Sequence, residues 1–81
     1  MSELITEKEL LELGFTKSLY SETKYRFMYE NFLIQVTLIN KNATLFINHT
    51  NSIKKTCTKN NVLKLIEIAK LIGELEWNNI T

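Results

Sequence analysis

Residues 23–39 read Thr23-Lys24-Tyr25-Arg26-Phe27-Met28-Tyr29-Glu30-Asn31-Phe32-Leu33-Ile34-Gln35-Val36-Thr37-Leu38-Ile39, and the alternation within them decides the fold. Tyr25, Phe27 and Tyr29 alternate with Lys24, Arg26 and Met28, the period-two pattern of a half-buried strand, and residues 32–39 continue it. Placing Glu30-Asn31 at a tight turn sets Tyr29 opposite Phe32, Phe27 opposite Ile34 and Tyr25 opposite Val36, so apolar meets apolar on one face. A second turn around Lys41-Asn42 sets Leu38 opposite Leu45 and Val36 opposite Ile47, giving a third strand near 43–48 and an antiparallel meander. Beyond His49-Thr50-Asn51, residues 52–57 read either as a fourth edge strand carrying Ile53 or, given Lys54 and Lys55, as a solvated loop.

Helices flank this meander. Thr6 is an N-cap, Glu9 three residues later closes a capping box, and Ile5 can staple onto Leu10. Leu10, Leu11 and Leu13 form the apolar stripe of a short helix over 7–13; Gly14 suits the left-handed position after it, with Phe15 folding back. A longer helix spans 61–76, capped by Thr58 or Asn60 and roughly 24 Å long. Its apolar side holds Val62, Leu65, Ile66, Ile68, Ala69, Ile72, Leu75 and Trp77, an arc near 200°, against about 100° needed to lie on one sheet face. Glu67, Lys70 and Glu74 form the wet side. The expectation is one α+β domain over 1–81: a short N-terminal helix, a meander of three strands, or four if 52–57 pairs, and a long amphipathic helix packed on one sheet face.

Eighty-one residues suffice for one small core, and the apolar 44% and charged 23% are ordinary for a folding chain. Ten basic and nine acidic side chains leave a net charge of +1, which argues against a strongly basic nucleic-acid binder or a polybasic membrane anchor. The charge is uneven: Lys41, Lys54, Lys55, Lys59 and Lys64 are the only charged residues between Glu30 and Glu67, and both flanking segments are mildly acidic. The wealth of Asn, Lys and Ile beside a single Arg and no Asp or Pro is the mark of an AT-rich genome. A lone Cys57 fits a reducing compartment, and the N-terminus has neither the basic start nor the apolar stretch of a secretion signal, so a cytoplasmic location is expected. Three Asn-x-Thr sequons, at Asn42, Asn48 and Asn79, then carry no chemistry.

No catalytic set is expected. With one His, one Cys and no Asp, the only pairing on offer is a His49/Cys57 dyad, and each residue lies in or beside a loop without motif context. Two isolated glycines, Gly14 and Gly73, make no phosphate-cradling loop. Zinc needs more ligands than the chain holds, and Glu7, Glu9 and Glu12 suit a solvated first helical turn. The expectation is therefore a non-enzyme without metal, cofactor or small-molecule ligand.

A surface is the better candidate. Parity drives Tyr25, Phe27 and Tyr29 into the core, which removes them as base-stacking groups. The other face carries Met28, Leu33, Ile39 and Phe46, more large apolar side chains than a solvated sheet face shows, with Lys24 and Arg26 as polar rim. With the over-wide helix stripe, this points to a protein-binding module, acting on a partner protein or as a homodimer. The alternative is a weak nucleic-acid binder using Lys24, Arg26, Lys54, Lys55 and Lys59.

Leu10-x-x-Leu13-Gly14-Phe15, followed by the tyrosine-bearing hairpin and a closing amphipathic helix, resembles in layout small uncharacterised proteins encoded by phages and mobile elements of AT-rich bacteria. The resemblance implies an α-β-β-β-α accessory protein that binds and blocks or redirects a host protein in the host cytoplasm. It brings no functional residues.

Overall fold

Thr6 opens the first helix as a reciprocal cap. Its N–H donates to Glu9 Oε1 at 3.1 Å, and the Glu9 N–H donates to Thr6 Oγ1 at 3.2 Å, closing the box around α1 (Glu7–Leu13). Gly14 ends it at φ 103°, a conformation L side chains rarely adopt, and Phe15 N–H donates back to Leu10 O at 3.0 Å. The turn swings Phe15 into the core, where its ring meets Phe27 at 5.3 Å between centroids. The computed structural model describes residues 3–30, 32–47 and 50–80, without the side chains of 75–80.

Five strands follow: β1 (Thr16–Lys17), β2 (Lys24–Tyr29), β3 (Phe32–Thr37), β4 (Asn42–Phe46) and β5 (Ser52–Thr56). They form one antiparallel sheet in the order β1-β2-β3-β4-β5. The architecture is thus α+β, with five strands rather than three or four. Of the segment 52–57, residues 52–56 are a strand, because Lys54 and Lys55 sit on an edge where charge is tolerated and the pairing of Leu45 with Ile53 anchors it. β1 is new. It pairs Thr16 with Arg26 and Lys17 with Tyr25 directly after the Gly14 turn, too short for any alternation to reveal.

The β2–β3 register is the expected one, with Tyr29 opposite Phe32, Phe27 opposite Ile34 and Tyr25 opposite Val36. Glu30 enters the turn at φ 53°; Asn31 lies outside the described residues. The β3–β4 register differs. Ile34 faces Leu45 and Val36 faces Ala43, four residues from the expected pairing, and residues 38–41 form the turn with Lys41 at φ 58°. Lys41 N–H closes it on Leu38 O at 3.2 Å. A shift by an even number leaves every side chain on its expected face. The observed pairing also puts the small Ala43, fully buried, among the strands nearest the long helix.

That helix, α2 (Lys59–Ile80), starts two residues earlier and ends four later than expected. Thr58 rather than Asn60 caps it: Asn61 N–H donates to Thr58 Oγ1 at 3.2 Å, and Val62 N–H to Thr58 O at 3.0 Å. Val62, Leu65, Ile66 and Ala69 are buried, an arc of about 100°, as one sheet contact requires. Ile68 and Ile72 are half-buried against the same core, so the chain itself covers much of the extra width; the side chains of Leu75 and Trp77 lie outside the described residues. The segment before α1 closes the layer, with Ile5 N–H donating to Cys57 O at 2.8 Å and Leu4 bridged to Thr58. Leu10 of α1, the α2 stripe and the inner strand residues Tyr25, Ile34, Val36 and Leu45 form one buried cluster, so both helices lie on one side of the sheet.

Candidate functional site

Among the described residues, no helix lies on the other side of the sheet. Strand alternation and the observed registers arrange it in three rows running across the strands. One end row is Met28, Leu33, Phe46 and Ser52. The middle row is Thr16, Arg26, Gln35, Thr44 and Lys54. The far row is Lys24, Thr37, Asn42 and Thr56. Met28 is 65% exposed and Phe46 40%, with Leu33 half-buried between them. Three large apolar side chains therefore lie side by side, two of them exposed and one half-buried, next to a polar and basic surface.

The structure brings together five of the six residues singled out from the sequence: Met28, Leu33, Phe46, Lys24 and Arg26. Ile39 lies at the Lys24 end of the hairpin, away from the apolar three. β3 stops at Thr37, about 13 Å along the strand from Leu33, and Ile39 sits exposed in the turn beyond it. The stretch 32–39 alternates throughout, but the four-residue turn takes its last two positions, so Ile39 never joins the apolar row.

Charge on this face has one sign. Lys24, Arg26 and Lys54 project from it, and no carboxylate stands in any of the three rows. Among the described residues the ion pairs are Lys17 with Glu7 at 3.9 Å and Lys59 with Glu9 at 3.1 Å, both away from the face. The basic set of the nucleic-acid alternative is consequently split. Lys55 alternates to the opposite side of β5 from Lys54, and Lys59 is held by Glu9 at the start of α2.

Sequence reading missed the loop between β1 and β2. Leu19 and Tyr20 are 94% and 97% exposed there, two large side chains presented to solvent with almost no internal packing. Their signal was a Ser-Leu-Tyr-Ser run lacking the periodicity of helix or strand. A cleft of about 320 Å³ lies between this loop and the sheet, lined by Ser18, Tyr20, Ser21, Lys24, Arg26 and Gln35.

Of the dyad residues, Cys57 is fully buried in the core, where burial pushes its thiol pKa up and away from a reactive thiolate. His49 lies outside the described residues. Among the described residues no group of three or more His, Cys, Asp or Glu side chains could hold a metal ion, and no helix is long and apolar enough to cross a membrane.

Fold and site together define a two-layer α+β protein with one sheet face open and basic. No family model, curated protein or solved structure matches the chain.

Proposed function

We propose that the chain is a protein-binding module that docks an acidic partner protein on the open face of its sheet. The observation that carries this reading is the joint presence of exposed Met28 and Phe46 with half-buried Leu33 between them, and of Lys24, Arg26 and Lys54 with no carboxylate among them. An apolar patch with a charged rim is the anatomy of a protein interface. The single sign of that rim selects a partner of opposite sign and steers its approach. It also disfavours a second copy of the same face, which would set three unpaired cations against three others. A small accessory protein that blocks or redirects a host protein would use such a surface.

Nucleic acid fits less well. Three cations give few phosphate contacts, and the apolar row is mostly aliphatic, which offers little for bases to stack on. Light scattering together with capture from cells of the source organism tests the proposal. The expected result is a monomeric mass and an acidic protein captured by the wild type, with capture reduced at least roughly tenfold in a Met28→Ser, Phe46→Ser variant. Capture should survive Leu71→Ser, an exposed position on α2. Equal capture by face and helix variants sinks the proposal, as does a doubled mass that Phe46→Asp abolishes, which assigns the face to self-association. Retention of nucleic acid instead of protein, lost steeply with salt, would make the chain a nucleic-acid binder.

A further inference from the structure

The loop of residues 18–23 is held as a wall beside the open face. Ser18 N–H donates to Lys24 O at 2.8 Å, and Ser18 Oγ accepts the Tyr20 N–H at 3.2 Å. Ser21 Oγ accepts the Thr23 N–H at 3.3 Å and lies 3.1 Å from Thr23 Oγ1. These short-range side-chain bonds make local turns that fix the backbone without core packing. What the wall encloses with the sheet is the cleft lined by Ser18, Tyr20, Ser21, Lys24, Arg26 and Gln35.

Every charge in that lining is positive, and neither cation is ion-paired among the described residues. The remaining groups are hydroxyls and an amide, all able to donate to an oxyanion. Tyr20 lines the cleft yet is 97% exposed, so its ring has little to rest on within the chain.

We infer that this cleft receives an acidic side chain, Asp or Glu, of the docked partner, with Arg26 and Lys24 holding the carboxylate and Tyr20 packing on its stem. The inference rests on the docking reading and narrows it. Met28, Arg26 and Lys24 are successive same-face residues of β2, so the cleft lies about 7–13 Å from the apolar row. A partner that fills both sites carries a large apolar residue and an acid separated by that distance. In an extended segment this is a spacing of about two to four residues, and along a helix one to two turns or slightly more. A free phosphate would satisfy the cations alone, but it has no use for the neighbouring apolar row.

Arg26 is the only arginine of the chain, so its Nε–Hε resonance reports on the cleft without ambiguity. The probe is a capped peptide of phenylalanine, two glycines and two glutamates in that order, titrated into the labelled full chain and followed by NMR. The expected result is a saturable shift of the Arg26 side-chain signal, half complete on the order of 1 mM peptide. Binding should be roughly fivefold weaker for the glutamine counterpart of the peptide and for the Lys24→Gln protein. No Arg26 response, or an equal one to the glutamine peptide, overturns the inference. So does tighter binding of inorganic phosphate or of octathymidylate at the same salt. Shifts at Met28 and Phe46 without one at Arg26 remove the acid-receiving cleft and leave the docking face standing. Shifts at neither set overturn the cleft, and the fate of the face is then read from the capture experiment.

Discussion

At the scale of single residues, two positions fix how the first helix meets the sheet. Gly14 stands at φ 103°, and a Cβ there would lie 3.4 Å from the Phe27 ring. Gly14→Ala has room for its methyl but meets backbone strain at this φ, and should cost about 1–2 kcal/mol, read as a lower urea midpoint with unchanged slope. Tyr25 is fully buried, and its hydroxyl donates to Glu7 Oε2 at 2.7 Å. Burial first, then the hydrogen bond and charge of Glu7, raise its pKa to about 12 from the ordinary 10. The folded state thus holds the phenolic proton more tightly than the unfolded chain. The resulting stability is fully present below pH 10 and is lost progressively as pH rises from about 10 to 12. Tyr25→Phe should lower stability by about 1 kcal/mol at neutral pH. It should also flatten the alkaline limb of the stability curve relative to wild type, measured as the difference between the two denaturation series.

Helices and strands were legible where their signals are local. Thr6, Glu9, Gly14 and Phe15 lie within ten residues, and each makes the hydrogen bond or contact its type favours, so α1 could be bounded to the residue. The inner and outer faces of β2 and β3 were legible because parity survives any even slip. For that reason Met28, Leu33 and Phe46 were placed together while the β3–β4 register was not. That register depends on turn length and on where Ala43 fits beneath the helical layer, which is tertiary information. Ile39 was misplaced for the same reason, and Tyr20 was missed because an irregular loop carries no period. The cap of α2 had two candidates, Thr58 and Asn60. Thr58→Ala should cost about 1 kcal/mol by thermal melting, whereas Asn60→Ala should stay within about 0.5 kcal/mol. On the buried stripe of the same helix, Leu65→Ala should cost about 2–5 kcal/mol, depending on how far the cavity collapses.

For the molecule as a whole, an open antiparallel sheet with helices on one side leaves a face and two edges, the shorter edge being the two-residue β1 and the longer one β5. The face is the proposed docking surface. At the longer edge, β5 pairs only with β4, and it carries Lys54 and Lys55 as adjacent charges that discourage a further strand. Replacing both by Val should convert a monodisperse protein into one that associates with concentration, seen by light scattering at neutral pH. The same double variant would lose Lys54 from the face, so Lys55→Val alone separates edge protection from partner binding.

The sheet order, in which every strand lies beside its neighbours in sequence, also shapes how the chain reaches its native state. Hairpins form by short loop closures with low entropic cost, so the meander is suited to rapid assembly starting from β2 and β3. Leu4 and Ile5 instead meet Thr58 and Cys57 from more than fifty positions away in sequence, a closure that only a nearly complete sheet can template. The N-terminal segment should thus act as a latch that engages last and releases first. Ile5→Val should accelerate unfolding and leave the folding rate almost untouched, whereas Ile34→Val should slow folding.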